Sequence, residues 1–280
     1  MNIFLTGGTG FIGSYFINKA LVAGHEVVAL RRTPQSRPQI NLTTEPVWVN
    51  KLIEDVSPQD LSGCDVLVHL ASFGVSPKLS TWEDCFKVNV LDTMHLLETA
   101  NDAGIRKVIA AGSCAEYGSS GLNYDFIPVD APLKPKGAYA SSKAASSIAI
   151  QSFAESVGMS LIYGRIFSAF GEGQFEQNLW PSLKKRALEG SDFEMTPGEQ
   201  IRDFIRVEEV AGWFIQALNY ILEQRELTSF WNVASGNPIS IKSFCENWWQ
   251  KFQAPGKLLI GRIPYREGEV MRYVPEVKTW

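Results

Sequence analysis

The chain has 280 residues, a formal net charge of −4 and an isoelectric point near 5.5. Binding DNA or RNA requires a basic face, which this charge balance does not supply, so the composition argues against a nucleic-acid partner. No apolar run approaches the roughly 20 residues of a membrane span. Met1-Asn2 leads directly into "IFLTGG", so we expect no targeting leader. The four scattered cysteines and three histidines form no metal-binding or disulfide pattern. We therefore expect a cytoplasmic protein without membrane contact, metal or disulfides.

Short apolar runs alternate with helix-length stretches through the first two thirds of the chain. The runs "IFLT", "EVVAL", "VWV", "DVLVHL", "KVIAAG" and "LIYGRIF" predict buried strands. Between the fourth and fifth runs, "TWEDCFKVNVLDTMHLLETANDAG" has helical periodicity and stops at Gly104, which is typical of a helix C-terminus. This alternation predicts an α/β fold, in which a doubly wound parallel sheet carries helices on both faces.

The segment after residue 170 differs in character, because it is rich in tryptophan and its predicted elements are shorter and less regular. We predict a larger domain over residues 1–170 and a smaller, substrate-binding lobe over residues 171–280, with some segments of the lobe returning to the first domain. In "FCENWWQKF", Phe244, Trp248 and Phe252 fall at helical spacing, which predicts core packing rather than a binding platform.

A glycine-rich loop follows the first predicted strand. In "NIFLTGGTGFIGS", Gly7, Gly10 and Gly13 form a G-x-x-G-x-x-G run at the start of a predicted helix. Glycine is needed where a turn is tight and where the backbone approaches a pyrophosphate, and the helix N-terminus supplies N–H donors. A tight strand-to-helix turn without a ligand is the plain alternative, but the context after the first strand favours a dinucleotide and a Rossmann-type sheet.

The same loop, with "EDV" after the third strand and "VHLAS" ending the fourth, resembles the extended short-chain dehydrogenase/reductase family. The resemblance implies that Asp55 and Val56 contact adenine and that Ala71 and Ser72 line the dinucleotide channel. Taken alone, Asp55 would be a helix cap or a turn acid. The residues that the resemblance assigns to the dinucleotide in these segments are Gly7, Gly10, Phe11, Ile12, Gly13, Asp55, Val56, Ala71 and Ser72.

Tyr139 and Lys143 in "AYASSKAAS" lie four residues apart, on one face of a predicted helix. Tyr15 and Lys19 have the same spacing, so the spacing alone does not identify a site. The context differs, because Ser113 stands just past the fifth strand, at the sheet edge where open α/β sheets bind ligands. In the family, the catalytic serine or threonine stands four residues before the tyrosine of a "YG" pair, as in "SCAEYG". The resemblance therefore implies the catalytic set Ser113, Tyr139 and Lys143, which would also bind the dinucleotide through Tyr139 and Lys143.

The chemistry accounts for these residue types. Hydride transfer at a carbinol carbon leaves a proton to be moved, whereas free tyrosine has a pKa near ~10. We expect Lys143, and the positive nicotinamide when it is oxidised, to lower the pKa of Tyr139. By the resemblance, Lys143 would also hold the nicotinamide ribose, and we expect Ser113 to orient the reacting oxygen. The 4,6-dehydratases that resemble this family carry an Asp-Glu pair after the serine or threonine, where this chain has Cys114 and Ala115. Elimination of water is therefore disfavoured.

Three segments resemble the substrate-binding lobe of the family. "QNLWP" resembles the stretch whose asparagine meets a nucleotide-sugar in UDP-galactose 4-epimerases, which implies that Asn178 binds substrate. "IRDFIRVEEVA" and "YREGE" resemble segments whose arginines bind a diphosphate, which implies Arg202 and Arg266. Taken alone, each arginine would form a surface ion pair with a nearby acid, such as Asp203 for Arg202. In "GRIFSAFGEG", a serine and a glutamate replace the asparagine and proline of the family pattern.

Small residues in the tyrosine helix, including Ala140 and Ala144, would let another helix approach closely. The family pairs this helix and the "TWEDCF" helix across a dimer axis. We expect a homodimer by that analogy.

The second predicted strand ends in Arg31-Arg32. Family members that bind NAD place an acid there, which accepts hydrogen bonds from the ribose 2′-hydroxyl but would repel a 2′-phosphate. The arginines therefore favour NADP(H), with NAD(H) as the alternative. A pair of solvated loop arginines is the plain alternative.

Three functions follow from these features. The first is an NADP(H)-dependent oxidoreductase that reduces a nucleotide-linked 4-keto-6-deoxy sugar. The second is a nucleotide-sugar 4-epimerase, which uses the same residues with a tightly held NAD. The third is a catalytically silent dinucleotide-binding module, which would have no need of the proton relay formed by Ser113, Tyr139 and Lys143.

Overall fold

The computed structural model describes residues 1–75, 80–223 and 227–278. The strands in chain order are β1 (Asn2–Thr6), β2 (Glu26–Arg31), β3 (Val47–Asn50), β4 (Val66–His69), β5 (Lys107–Ser113), β6 (Ser160–Ile166), β7 (Ser168–Phe170), β8 (Phe193–Met195), β9 (Ile201–Arg206), β10 (Thr228–Val233), β11 (Pro238–Ser240), β12 (Leu258–Ile260) and β13 (Arg272–Tyr273). The helices are α1 (Phe11–Val22), α2 (Trp82–Phe86), α3 (Thr93–Asp102), α4 (Ala138–Val157), α5 (Leu179–Glu189), α6 (Val207–Glu223) and α7 (Ile241–Lys251).

A seven-stranded parallel sheet forms the centre of the molecule, in the order β10-β6-β5-β4-β1-β2-β3. The six strands predicted from apolar runs are β1 to β6, so the predicted doubly wound parallel sheet is confirmed. The seventh strand, β10, comes from the predicted C-terminal lobe and pairs with β6. The chain thus returns to the sheet, and the division at residue 170 stays a prediction.

Helices cover both faces of the sheet. Phe16 of α1 and Phe214 of α6 pack in one buried cluster with β1 and β4, while Leu96 of α3 and Ile150 of α4 pack in the other. Because both faces are covered, the central strands are buried along their length and read as continuous apolar runs rather than as alternating patterns.

The predicted helix between β4 and β5 is interrupted. α2 passes into a π-helical turn, Lys87–Asp92, before α3 begins at Thr93. The chain leaves α3 through Gly104 at φ 86°, a left-handed conformation that explains the glycine at this helix end. Within the described residues, no helix combines the length and apolar character needed to cross a membrane.

A second, four-stranded sheet is built on β9, which pairs with β7, β11 and β13. Its core is aromatic: Phe244 is buried, and Trp248 and Phe252 pack against the same cluster as Phe170 and Trp180. The ring centroids of Phe170 and Phe244 are 5.0 Å apart in an edge-to-face arrangement. The predicted core role of this aromatic stripe is confirmed. The four cysteines are free thiols.

Candidate active site

The glycine loop is closed tightly against the first turn of α1. Gly7 has a φ of 74°, and its carbonyl accepts a hydrogen bond of 2.9 Å from the Gly10 amide. A Cβ on Gly13 would lie 2.1 Å from the Gly7 oxygen, and a Cβ on Gly7 would lie 2.7 Å from the amide nitrogen of Ala71. Side chains therefore cannot occupy these positions, and bare backbone meets the N-terminus of α1, where Phe11 and Ile12 begin the helix. This cradle suits a pyrophosphate.

The residues predicted to line the dinucleotide lie at the same edge of the sheet. Ala71 and Ser72 follow β4, and the Ala71 amide contacts the Thr6 hydroxyl at the end of β1. Asp55 and Val56 follow β3: Asp55 is exposed at the end of a 3-10 turn, whereas Val56 is buried. The carboxyl ends of β1, β3 and β4 thus bring together the segments that the sequence nominated separately.

Arg31 is the last residue of β2, as predicted. Its Nε donates to Asn50 Oδ1 at 2.7 Å, and its guanidinium carbon lies 4.9 Å from the centroid of the Trp48 ring. Both partners belong to β3, so the guanidinium is held at the sheet edge, and among the residues that the structure describes its two terminal nitrogens have no hydrogen-bond acceptor. Arg32 is exposed. Arg31 is therefore an ordered group, and the interpretation as a solvated pair fits Arg32 alone.

The three predicted catalytic residues come together. Ser113 ends β5, and Tyr139 and Lys143 lie in the first turns of α4. The Ser113 and Ser72 side chains approach the Tyr139 hydroxyl, and both act to lower its pKa. Lys143 is buried, and its Nζ donates to the Ala111 carbonyl oxygen at 2.8 Å. A phenol, a hydroxyl and an ammonium group thus converge at the carboxyl end of β5.

The expectation that Lys143 by itself lowers the pKa of Tyr139 is wrong, and the effect of the nicotinamide charge stays a prediction. Burial raises the pKa of Tyr139 to about 12, and the hydrogen bonds from Ser113 and Ser72 offset only part of this effect. Burial also lowers the pKa of Lys143. The Lys143 ammonium does not bring the Tyr139 pKa below its usual value, because desolvation of the phenol is the larger effect. Tyr139 is therefore a proton donor across the neutral range.

The second Tyr-x-x-x-Lys pair has a different environment. The Tyr15 hydroxyl donates to the Glu172 carbonyl at 3.2 Å, which links α1 to the loop after β7. Lys19 is exposed, as its position in the helix predicts. The two pairs share spacing, but only Tyr139 and Lys143 lie beside a strand end that carries a serine.

The predicted substrate residues are not equally placed. The terminal nitrogens of Arg202 bind the carbonyl oxygens of Ile201 and Val270, and one lies 3.8 Å from Glu269. Tyr273, the β13 residue paired with Arg202 of β9, donates its hydroxyl to the Cys114 carbonyl at 3.0 Å, which links this part of the lobe to the end of β5. Asn178, before α5, and Arg266, before β13, are both exposed.

Asp203 is not the partner of Arg202. It is fully buried and accepts hydrogen bonds from the amides of Ser235 and Gly236 at 2.7 and 2.8 Å. The ion pair considered from the sequence for Arg202 and Asp203 is therefore wrong, because neighbours in a strand point to opposite faces. The acid that approaches Arg202 is Glu269 of the loop before β13.

Sequence reasoning missed two buried polar residues beside the site. Glu116 accepts a hydrogen bond of 2.8 Å from the Ser113 amide and forms an ion pair with Arg165 at 2.8 Å. Asn89, in the π-helical turn, bonds the Phe73 amide at 2.8 Å and the Ser142 hydroxyl at 2.9 Å. The S-x-x-E pattern from Ser113 to Glu116 is a capping-box signature that could have revealed the first. No sequence pattern marks the second.

The fold and the site define a class, dinucleotide-dependent enzymes with a serine, a tyrosine and a lysine at the carboxyl edge of a doubly wound sheet. The sequence profile of the NAD dependent epimerase/dehydratase family matches residues 3–233. The chain belongs to this family, and the resemblance to extended short-chain dehydrogenases/reductases is confirmed.

Several known proteins are similar over nearly the whole chain. A UDP-glucose 4-epimerase of Corynebacterium glutamicum is 25% identical over 269 residues, which cover 88% of this chain and 79% of that protein. A dTDP-6-deoxy-L-talose 4-dehydrogenase (NAD(+)) of Aggregatibacter actinomycetemcomitans is 24% identical over 261 residues, which cover 89% of each.

Solved structures share the architecture. A UDP-N-acetylglucosamine 4-epimerase from Methanobrevibacter ruminantium M1 superposes with a TM-score of 0.85 at 25% identity, covering 99% of this chain and 89% of that one. An NAD dependent NDP-hexosamine 5,6-dehydratase, TunA, of tunicamycin biosynthesis superposes with a TM-score of 0.83 at 27% identity, with the same coverage. The similar proteins thus include epimerases, a dehydrogenase and dehydratases.

Proposed function

We propose that the protein carries out hydride-transfer chemistry at C4 of a nucleotide-linked hexose, with Tyr139 as the general acid and base. The observation that carries this proposal is that Ser113, at the end of β5, meets the start of α4, where the buried Lys143 bonds the Ala111 carbonyl of β5 and Tyr139 lies one turn earlier. A nicotinamide dinucleotide, when bound, supplies or accepts the hydride. In the direction of reduction, the Tyr139 O–H bond breaks and its proton goes to the carbonyl oxygen of the sugar, which Ser113 orients by a hydrogen bond.

The glycine loop, Ala71 and Ser72 would hold the dinucleotide, and Tyr139 and Lys143 would bind at its reactive end. The loop fits a pyrophosphate because a Cβ at Gly13 would overlap the Gly7 carbonyl. Arg202, Arg266 and Asn178 would bind the diphosphate and the nucleotide of the substrate. Of these, Arg202 has the strongest support, because it is paired with Tyr273, whose hydroxyl donates to the carbonyl of Cys114, next to Ser113.

The first candidate reaction is the NADP(H)-dependent reduction of a 4-keto-6-deoxy sugar. It is supported by the position of Arg31 at the tip of β2, where Asn50 and Trp48 hold the guanidinium. A cation there attracts a 2′-phosphate, and one charge-assisted contact contributes roughly 1.5–3 kcal/mol, or about 10- to 150-fold in affinity. The similar dTDP-6-deoxy-L-talose 4-dehydrogenase supports oxidoreduction at C4, although its name specifies NAD(+).

The second candidate is 4-epimerisation with a retained NAD. The named 4-epimerases among the similar proteins support it. Oxidation followed by reduction at C4 would use Tyr139 first as a base and then as an acid.

The site gives dehydration less support: Glu116 is the carboxylate nearest to Ser113 in sequence, and it is fully buried and paired with Arg165. Its oxygens already accept three hydrogen bonds, so it is not free to move a proton.

A homodimer also stays a proposal. Trp82 of α2, Leu91 of the π-helical turn and Ile148 of α4 are large apolar side chains with exposures of 58, 66 and 62%. Pairing of these helices with those of a second copy would cover them. A monomer in size-exclusion chromatography at micromolar concentration would contradict this proposal. The cytoplasmic location stays a prediction.

The choice of cofactor is tested by calorimetric titration of NADPH and NADH against the wild type, Arg31→Asp and the control Arg262→Asp. Arg262 is an exposed arginine of the distant lobe, so its replacement makes the same change of charge elsewhere. We expect Arg31→Asp to weaken NADPH binding about 10- to 150-fold and to leave NADH binding unchanged or tighter. Equal affinities for the two cofactors in the wild type would remove the argument for NADP(H).

The reaction is tested with two substrates. In the first assay, dTDP-4-keto-6-deoxyglucose is added with NADPH and the loss of NADPH absorbance is followed. In the second, UDP-glucose is added with NAD and the formation of UDP-galactose is followed by NMR. Consumption of NADPH supports the reductase, and conversion without net change of the cofactor supports the epimerase. If the protein binds a dinucleotide but converts neither substrate, the result supports the catalytically silent binding module.

A further inference from the structure

A buried ion pair lies directly behind Ser113. Glu116 is fully buried and Arg165 is 5% exposed, and Arg165 Nε donates to Glu116 Oε2 at 2.8 Å. The other oxygen, Oε1, accepts from the Ser113 amide at 2.8 Å and from the Tyr163 hydroxyl at 2.9 Å. Apolar residues of similar volume often stabilise a core as well as a buried pair does, so stability does not explain these charges.

Arg165 is itself fixed on several sides. Its NH1 donates to the Val129 carbonyl at 2.8 Å and contacts the Tyr117 hydroxyl at 3.3 Å. Its guanidinium carbon lies 4.9 Å from the Tyr117 ring centroid and 5.0 Å from that of Phe230. The carboxylate of Glu116 is therefore held by a rigid partner, and its oxygens have fixed positions relative to β5.

The local backbone accommodates the carboxylate. A Cβ on Gly112 would lie 2.7 Å from Glu116 Oε1 and 2.2 Å from the Tyr163 ring, so only glycine lets Glu116 approach the end of β5. The approach completes a capping box, in which the Ser113 hydroxyl also accepts from the Ala115 amide at 3.2 Å. Ser113 is thus fixed through both its amide and its hydroxyl. It is the residue whose side chain approaches the Tyr139 hydroxyl.

We propose that Glu116 is a positioning residue: clamped by Arg165 and Tyr163, it fixes the backbone of Ser113 so that the serine hydroxyl meets Tyr139. The inference rests on the proposed function of Ser113, Tyr139 and Lys143. The carboxylate also acts through its charge. Burial raises the pKa of Tyr139, and the charge of Glu116 raises it further. Burial lowers the pKa of Lys143, and the same charge opposes that shift.

Three variants separate position from charge. Glu116→Asp keeps the charge but withdraws the carboxylate by one methylene. Glu116→Gln keeps the length but removes the charge. Because Glu116→Gln leaves Arg165 buried without its partner and the variant can fail to fold, the double variant Glu116→Gln/Arg165→Met removes both charges. Among the described residues, Glu116 bonds Ser113, Tyr163 and Arg165. Its charge also acts on Cys114, Tyr117, Tyr139 and Lys143.

Asp60 provides a matched control. It completes a second capping box on a 3-10 turn, accepts from the Ser57 amide at 2.8 Å and pairs with Lys51 at 2.7 Å. Like Glu116, it accepts from the amide of its capping serine and pairs with a cation, but it is partly exposed and forms these bonds at a turn remote from Ser113. Asp60→Asn reports the effect of losing a capping carboxylate on folding, without a change at the catalytic serine.

The experiment measures kcat and KM from pH 6 to 10 with NADPH and dTDP-4-keto-6-deoxyglucose, or with NAD and UDP-glucose. Activities are normalised to the cofactor-binding fraction from titration. We expect all three Glu116 variants to lose roughly 10- to 100-fold in kcat with KM and cofactor Kd unchanged, and Asp60→Asn to keep the wild-type kcat. Because the Tyr139 pKa is about 12, the reduction profile of the wild type should stay level up to pH 9, and so should that of Glu116→Asp. In Glu116→Gln, which lacks the charge that raises this pKa, the fall in activity should begin at a lower pH than in the wild type.

The outcomes are distinguishable. If the wild type is active, Tyr139→Phe is inactive, and the folded Glu116 variants keep the wild-type kcat and pH profile, the positioning role is refuted and the proposed function stands. If the Glu116 variants lose activity only in proportion to their folded fraction, as Asp60→Asn would, Glu116 is merely structural and the inference is again refuted. If the wild type converts neither substrate, or Tyr139→Phe retains activity, the proposed function fails and this inference fails with it.

Discussion

Acid should destabilise the protein through His69. This residue ends β4 and is 3% exposed, with Nδ1 lying 2.8 Å from the Thr6 hydroxyl and Nε2 lying 3.1 Å from the Thr93 hydroxyl. Burial lowers its pKa to about 3, and the charge of Lys143 adds to the effect. The folded protein therefore keeps His69 neutral at a pH where the unfolded chain protonates it.

The sign and size follow from linkage. The unfolded state binds the proton below its pKa of ~6.5, so the stability that neutral His69 contributes is complete above that pH and is lost as the pH falls towards 3. Between pH 7.5 and pH 5.0, a histidine whose folded pKa is about 3 removes about 2 kcal/mol from the free energy of unfolding. With a urea m-value of ~3 kcal/mol/M, the unfolding midpoint would fall by roughly 0.7 M.

The assay is equilibrium urea unfolding of the wild type and His69→Gln at pH 7.5, 6.5, 5.5 and 5.0. Glutamine does not titrate, so the variant is expected to be less stable at pH 7.5 but to lose about 2 kcal/mol less on acidification. His25, whose pKa is also lowered by burial, contributes equally to both proteins and cancels in the difference. Parallel stability curves for the two proteins would refute the reasoning, because they would mean that His69 is protonated without penalty in the folded state.

Two further predictions concern the site. Gly13→Ala should abolish dinucleotide binding, because its Cβ would lie 2.1 Å from the Gly7 oxygen. The control is Gly212→Ala in α6, where a Cβ meets no atom within 4 Å; it should leave binding intact and raise the free energy of unfolding by roughly 0.5–1 kcal/mol. Calorimetric titration measures the binding of both variants, and urea unfolding measures their stability. Because burial raises the pKa of Tyr139 to about 12, kcat/KM for reduction should stay level up to pH 9. It should vanish in Tyr139→Phe. A fall in kcat/KM with a midpoint near pH 7 would contradict a protonated phenol.

Much of the fold could be predicted from the sequence. The six apolar runs are strands β1 to β6, and Gly104 ends the helix before β5 in a left-handed conformation. These features depend on interactions between near neighbours in the chain, and such interactions leave periodic patterns. The seventh strand could not be assigned in the same way: "TSFWNV" joins the sheet only because β6 presents an open edge to it.

The glycines and the Tyr-x-x-x-Lys pair were also readable from the sequence, because a tight turn and a helical face require particular residues at fixed spacing. The π-helical turn that carries Asn89 leaves no such pattern. Asn89 contacts Phe73 and Ser142, which lie 16 and 53 residues away in the chain, so its role depends on how β4 and α4 approach each other.

The sequence by itself determined which chemical groups are present and where each element carries them: Ser113 at the end of β5, Tyr139 four residues before Lys143 in α4, and Arg31 at the end of β2. Tertiary structure decided their environment. Glu116 meets Arg165 across 49 residues, Arg202 pairs with Glu269 rather than with its neighbour Asp203, and the Tyr139 pKa rises where the ammonium alone predicts a fall. The physical reason is that burial and charge pairing depend on which strands lie side by side, and desolvation of a phenol can exceed the effect of a nearby charge.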